Sequence, residues 1–312
     1  QDFAAALWRT NRLDAGQKRI HRGAVKLGDY FLIVEPQKNG PPKLCANDPR
    51  NVKIVYDSDE PLYAVKCWNT SRVSASNPNG ASIQRLNIYW PDQVEKWFRV
   101  SNDGPWVKFV EIPGGDYASW WTADGTPSGE PLGIPVIHFA NKPNPHYGIS
   151  KIRPMFPQQD ALNKSIVDFF WVMDAQGWPQ QWASGATADD VKRHPGSLWT
   201  IQSPDARVGQ LDPANPEQSI MAIESQIKRM ASRSNTPLHL LLAGGNLPSG
   251  ESLKSSESGF IHEGEDFQVD NGNRWEDAVL LAARVVNAFV DGETIPVEDV
   301  ALECKWKGIE TR

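Results

Sequence analysis

The run Ile134-Pro135-Val136-Ile137-His138-Phe139-Ala140-Asn141 is the turning point of the sequence. What precedes it reads as short strands, and from Gln159-Asp160-Ala161-Leu162-Asn163-Lys164 onward the chain reads as helices. Upstream, β-branched and aromatic runs are parted by turn residues such as Asn39-Gly40-Pro41-Pro42, Asn77-Pro78-Asn79-Gly80 and Pro113-Gly114-Gly115. The strand candidates are Tyr30–Glu35, Val52–Asp57, Leu62–Trp68, Ile83–Tyr89, Val94–Val100, Val107–Glu111 and Ile134–Phe139. Ahead of them, Gln1 to Gly28 is helical in pattern, with Leu13, Ile20, Ala24 and Leu27 spaced for one apolar face.

Downstream, Leu162, Ile166, Phe169 and Met173 form a stripe on a helix over Pro157–Gln176, ended by Gly177 and Pro179. A compact segment, Gln180–Leu211, carries two short strand candidates, Gln180–Ser184 and Ser197–Gln202. Asn215-Pro216-Glu217-Gln218 then supplies a cap, a first-position proline and the start of a helix over Pro216–Arg233, with Ile220, Ile223, Ile227 and Met230 as its stripe. The leucine-rich Leu238–Ala243 leads through Gly244-Gly245 to Ser249, the expected cap of a long helix reaching Val290. Leu253, Phe260 and Phe267 keep heptad spacing there, and Trp275, Val279, Ala282, Val286 and Phe289 resume it after a slip. Gly259, Gly264 and Gly272 each cost about 1 kcal/mol against alanine in a helix. Such a helix needs neighbours to hold it, and a bend is expected near Gly272. The fold class is therefore α+β.

Composition narrows the function. The 312 residues suit two modules, and a net charge of −6 argues against a sequence-reading nucleic-acid grip. No stretch approaches the roughly 18 apolar residues of a membrane span. The chain opens without a signal peptide, and its ends, Gln1 and Arg312, read as trimmed. Cys45, Cys67 and Cys304 have neither disulfide-framework nor zinc spacing and read as reduced thiols. Six scattered histidines give no metal site, and there is no phosphate-binding loop, nucleophile elbow or H-E-x-x-H motif. The reading is a non-enzymatic protein without cofactor or metal.

Three stretches carry a resemblance. The first is Pro135–Asn141 followed by Tyr147-Gly148-Ile149-Ser150 and Gln159-Asp160-Ala161-Leu162-Asn163-Lys164. The second is Gly245-Asn246-Leu247-Pro248-Ser249-Gly250-Glu251-Ser252-Leu253-Lys254, and the third is Trp275-Glu276-Asp277-Ala278. In order and spacing they resemble the portal proteins of tailed bacteriophages and prophages with long non-contractile tails, over nearly the whole chain. The resemblance implies a homo-oligomeric, commonly dodecameric ring at one capsid vertex, through which double-stranded DNA is packaged and ejected. It implies a β-rich wing (1–150), a stem helix (151–179), a clip (180–213), a second stem helix (214–236), a tunnel loop (237–250) and a long, kinked helix returning to the wing (251–312). The implied partners are the large terminase, the head-tail adaptor and the capsid or scaffolding protein. The implied location is the virion, after assembly in the bacterial host cytoplasm, with no membrane involved. Family members usually begin with extra residues and continue into a helical crown, and no crown function is assigned here.

The chemistry is compatible with a conduit. Lysine and arginine contacts to phosphate hold DNA tightly through counterion release, so a conducting wall should avoid them. The long helix carries Glu251, Glu257, Glu263, Glu265, Asp266, Asp270, Glu276 and Asp277 against Lys254, Arg274 and Arg284, eight acids to three bases. Such a run equally describes a solvated helix face. Glu251, Lys254 and Glu257 are the channel-facing candidates. His239, Leu240, Leu241, Leu242, Ala243, Gly244, Gly245 and Asn246 are the tunnel-loop candidates, although four adjoining apolar residues also suit a core. Lys192, Arg193 and His194 are the clip's docking candidates, or a solvated loop. The thirteen tryptophans, Trp120-Trp121 above all, keep open an alternative: a polysaccharide-binding or glycoside-hydrolase-like protein using surface tryptophans. Core and subunit interfaces favour tryptophan as well. A tail component is a third reading, disfavoured by the order of elements.

Overall fold

The computed structural model describes residues 2–37, 40–71, 82–100, 103–109, 118–177, 181–185, 204–210, 215–241, 250–290, 294–297 and 302–308. Along the chain lie α1 (Asp2–Thr10), α2 (Leu13–Leu27), β1 (Asp29–Glu35), β2 (Lys43–Asn47), β3 (Val52–Asp57), β4 (Glu60–Ser71), β5 (Ser82–Tyr89), β6 (Gln93–Arg99), β7 (Val107–Lys108), β8 (Ala118–Trp120) and β9 (Val136–Ala140). Then follow α3 (Phe156–Gly177), β10 (Gln181–Ser184), β11 (Arg207–Gln210), α4 (Pro216–Arg233) and α5 (Gly250–Phe289). The described residues are thus mixed α and β. They form two compact units, Gln1–Arg153 with Ile261–Arg312, and Pro154–Phe260.

The first unit is organised by β1. It is the centre of an antiparallel sheet ordered β2-β1-β9, and five successive residues of it are buried. Alternation explains the run, because neighbouring side chains leave a strand on opposite faces. Tyr30, Leu32 and Val34 join a cluster with Leu13, Ile20 and Ala24 of α2, Phe139 of β9, and Trp275, Ala278, Leu281, Ala282 and Val285 of α5. Phe31 and Ile33 point the other way, into a cluster with Val52, Ile54, Ala64, Tyr89 and Val136. The second sheet runs β3-β4-β5-β6-β7 with β8 also on β6, all pairs antiparallel.

Several sequence expectations change here. The helical segment 1–28 is two helices, parted at Asn11 and Arg12, the latter at φ 51° and ψ 45°. Asn11 fixes the break: its side-chain amide donates to the carbonyls of Leu7 (3.0 Å) and Pro42 (2.9 Å), and its oxygen accepts from the Leu44 amide (2.7 Å). The helix end is thereby capped by a residue that also seats β2. Leu27 leaves the apolar face and is 39% exposed. β2 and β8 had no sequence signal, and the expected Ser197–Gln202 strand lies outside the described residues; β10 pairs instead with β11. Of the Val107–Glu111 strand, Val107–Lys108 is seen, and Val110 and Glu111 lie outside the described residues. α5 runs without interruption through Gly259, Gly264 and Gly272. A side chain at Gly272 would stand 3.1 Å from the Trp306 indole nitrogen and 3.5 Å from Cys304. There the glycine admits the segment 302–308.

Candidate functional site

In the second unit α3 and α4 contact one another and are joined through the β10–β11 hairpin. Asn215 caps α4 by accepting from the Glu217 amide at 2.9 Å, and Pro216 occupies the first turn, where its missing N–H costs nothing. Half-buried Leu162, Ile166 and Phe169 on α3 and Ile223, Ile227 and Met230 on α4 are the covered stripes. Gln226 donates to the Ser165 hydroxyl at 2.8 Å between them. Met173 and Ile220, expected in those stripes, are exposed instead. So are Val167, Phe170, Trp171 and Met221, with Trp171 at 71% and Met221 at 67%. Only Ala231 and Pro237 are buried among the described residues of this unit. The hairpin is apolar on a face that its own unit does not cover.

The tunnel-loop candidates begin where α4 ends. There the Ser234 hydroxyl donates to the Met230 carbonyl at 2.9 Å, and the Thr236 amide donates to the Ala231 carbonyl at 3.0 Å. Leu238–Leu240 make one 3₁₀ turn with Leu240 and Leu241 exposed. His239 Nε2 lies 3.1 Å from Glu257 Oε1, so one loop candidate and one channel candidate are brought together. Leu242, Ala243, Gly244, Gly245 and Asn246 lie outside the described residues, as do Lys192, Arg193 and His194. Glu251 and Lys254 are placed on α5 by their backbone only.

In the first unit the motif Asn141…Tyr147-Gly148-Ile149-Ser150 is a clasp on the end of α2. The Asn141 amide donates to the Gly28 carbonyl (2.8 Å), and the Asn141 side chain donates to the Ile149 carbonyl (2.6 Å). The Ser150 hydroxyl reaches the Lys26 carbonyl (2.5 Å), and the Lys151 amide reaches Val25 (3.0 Å). Asp29 receives the Gly148 amide at 2.6 Å and His138 Nε2 at 2.8 Å, while His138 Nδ1 meets the Tyr56 hydroxyl at 3.0 Å. Tyr147 donates to the Ile54 carbonyl. Gly28 adopts φ 98°, and Gly148 packs directly on its carbonyl.

The clasp is tied to α5 by charge. Lys142 (2.7 Å) and Lys151 (2.8 Å) both bond Glu263. Burial pushes the Glu263 carboxyl up, but the two ammonium groups outweigh it and hold the group below the usual carboxylate range. Of the acids read as a wall on this helix, Glu263 is thus engaged by two lysines, and Glu276 accepts the Cys304 amide at 2.8 Å. Glu265, Asp266, Asp270 and Asp277 lie on its exposed side, where Glu265 meets His262 (3.2 Å) and Asp277 accepts from Arg274 (3.3 Å). Deeper in, Trp275 donates to His21 Nε2 at 3.0 Å within a ring cluster with Phe139, Phe267 and Trp306. Burial lowers His21 to about 4, leaving a neutral acceptor.

Sequence reasoning did not find Asp29, Lys142, Lys151 or Glu263 as a group. Lys142 and Lys151, each directly after an end residue of the Asn141–Ser150 motif, were the available signal. The two adjacent tryptophans do not make a flat platform: Trp121 is buried and stacks near Phe289 (5.7 Å), whereas Trp120 is 40% exposed. Among the described residues there is no group of His, Cys, Asp and Glu that would hold a metal, and no helix is long and apolar enough to cross a membrane.

Residues 1–307 match the family model described as phage portal protein, SPP1 Gp6-like. The portal protein of Mycobacterium phage L5 is 22% identical over 326 residues, covering 97% of this chain and 62% of that protein. The portal protein of Mycobacterium phage D29 is 23% identical over 252 residues, covering 76% of this chain and 48% of that protein. The chain therefore spans less than two thirds of the length of the portal proteins it matches.

Proposed function

This chain belongs to the SPP1 Gp6-like family of phage portal proteins, and we propose on that premise that it is one subunit of a dodecameric ring at a capsid vertex, conducting double-stranded DNA. The family is a structural component of the virion, and the role proposed is mechanical, without a catalytic step. The observation that carries the reading is the α3–α4 hairpin: a helical unit with almost nothing buried among its described residues, yet with Val167, Phe170, Trp171 and Met221 turned outward. A helix apolar on more than one face is ordinarily covered on more than one face. In a closed ring each hairpin meets the same hairpin of two neighbours, and heterologous contacts of that kind close when the rotation does.

In this proposal residues 1–150 and the return of α5 form the wing, α3 and α4 are the stem, and 180–213 is the clip. Residues 237–250 are the tunnel loop, carried on α5. Glu251, Lys254 and Glu257 face the channel, and the His239–Glu257 pair ties the loop's first turn to its carrier helix. Lys192, Arg193 and His194 dock the large terminase and later the head-tail adaptor, and the wing meets the capsid or scaffolding protein. A wall without a basic stripe suits DNA that must keep moving, because each phosphate held would add counterion-release affinity.

Electron microscopy and native mass spectrometry of the purified protein, over a range of ionic strengths, test this. Closed rings with an opening wide enough for a duplex are expected. Monomers at every ionic strength and at concentrations up to hundreds of micromolar would sink the reading.

A further inference from the structure

A cavity of about 360 Å³ opens on the inner face of the second sheet, at the lower end of the roughly 300–1,000 Å³ of small-ligand sites. Its walls are strongly aromatic, with Trp68, Tyr89, Phe109, Trp120 and Trp121 among them. The strand register builds it: Trp68 of β4 lies opposite Arg85 of β5, and Asn87 of β5 lies opposite Lys96 of β6. Arg85 and Lys96 therefore stand two residues apart along one face of the sheet, among the rings.

Two donors in this wall have no acceptor. Arg85 Nε and Trp121 Nε1 are both buried and make no hydrogen bond. Trp121 is only 3% exposed, which places its N–H well inside the protein. Leaving such a group unsatisfied costs about 1–3 kcal/mol, more for a charged one, so a pair of them on residues that line one cavity asks for an explanation. The other charges are sparse. Lys96 donates to the Ser119 hydroxyl at 2.9 Å, and the guanidinium of Arg85 lies 5.5 Å from the centre of the Phe109 ring. Glu35, the one acid among the described lining residues, interacts with Cys45 and helps burial push that thiol up to about 11. Among the described lining residues, two cations and two unsatisfied donors against one acid favour an anionic acceptor.

We propose that this cavity binds a carboxylate carried on an aromatic or aliphatic body. The body lies against Trp68 and Phe109, and the carboxylate takes the N–H groups of Arg85 and Trp121, with Lys96 as a further positive charge. The guanidinium fork matches a carboxylate in two parallel bonds, which a neutral sugar hydroxyl does not offer. Two sources present this chemistry: a free organic acid, or the carboxylate end of a polypeptide with an apolar terminal residue. The site is independent of the ring reading, since every group in it belongs to one unit of one chain.

The test is a titration followed by ¹⁹F NMR, using three probes on the whole protein: 4-fluorophenylacetate, a tripeptide ending in 4-fluorophenylalanine with a free carboxylate, and the same tripeptide amidated. Binding of one or both carboxylate probes is expected, with the amide weaker by about tenfold or more. A peptide at least tenfold tighter than the free acid identifies a polypeptide as the source; comparable affinities identify the small acid. Arg85→Met should weaken the carboxylate probes about tenfold or more, and Arg85→Lys should restore part of that loss. Trp121→Phe keeps an aromatic ring, though a smaller one, removes the N–H, and should weaken them severalfold. Unchanged thermal unfolding checks that each variant is folded. The proposal is overturned if neither carboxylate binds below 10 mM, if the amide binds equally well, or if Trp121→Phe and Arg85→Lys both leave affinity unchanged. Tighter binding of a mononucleotide or a neutral disaccharide would overturn it too.

Discussion

Replacing Gly148 with alanine should unlatch the first unit. A Cβ there would drive into the Gly28 carbonyl oxygen and stand 2.6 Å from the Asn141 amide nitrogen and 2.7 Å from the Gly28 carbonyl carbon. All three are backbone atoms and cannot rotate away. Relief requires the turn to lift from the end of α2, which breaks the Asn141-to-Gly28 bond (2.8 Å) and the Gly148-to-Asp29 bond (2.6 Å). Each lost bond at a half-buried site costs about 1–2 kcal/mol, the unsatisfied group included, so a destabilisation of about 2–4 kcal/mol is expected. In a unit of this size a kcal/mol moves Tm by roughly 2–4 °C, giving a drop of about 5–15 °C. Differential scanning calorimetry reads it directly. Gly259→Ala is the control, because nothing lies within 4 Å of its Cβ and alanine is the better helix former. A Gly148→Ala protein melting within about 2 °C of the parent would show that the clasp does not hold the unit together.

Glu263→Gln should cost about 1–2 kcal/mol near neutral pH, read by urea unfolding of parent and variant. Because the two lysines depress the folded carboxyl, its contribution is present above the unfolded pKa and lost as pH falls through the folded one; the two proteins should converge in acid. His21 is held neutral near 4 against an unfolded value of about 6.5, so stability should be complete above the unfolded value and fall by about 3 kcal/mol as pH drops toward 4. NMR titration of its ring nitrogens checks this, and a midpoint near 6.5 would contradict the buried, Trp275-bonded geometry. Trp171→Ser should leave Tm of an isolated subunit within about 2 °C while raising the concentration needed for ring assembly at least tenfold by native mass spectrometry. Unimpaired assembly would remove this side chain from the subunit contact.

What was legible in the sequence is what short-range chemistry decides. α4 has the bounds read for it because Asn215 and Pro216 dictate where a helix begins. β3 likewise coincides with its apolar run, Val52–Asp57. The break between α1 and α2 was not legible, since it is fixed by Asn11 meeting Pro42 and Leu44, some thirty positions away. β2 escaped because Lys43-Leu44-Cys45-Ala46-Asn47 has little strand character of its own and is held by β1. The motif Asn141–Ser150 was visible as a pattern, but its reason was not. Gly148 answers to a carbonyl at Gly28, and Lys142 and Lys151 answer to a carboxylate more than a hundred residues on. The acids of α5 could be counted from the sequence, but not sorted into those drawn against other elements of the chain and those on the exposed side.

The near absence of burial among the described residues of the α3–α4 unit bears on when that part of the chain becomes rigid. With little interior of its own, the hairpin draws its persistence from whatever lies against it, because helices in proteins owe most of their stability to packing of an apolar face rather than to propensity. In a lone subunit its amides should exchange with deuterium far sooner than those of β1, which is covered on both faces. If neighbours supply the missing cover, protection there becomes a function of protein concentration, as for any obligate oligomer. The conduit's walls would then set only as the circle closes, so that a subunit arriving last still finds a pliable seam to enter.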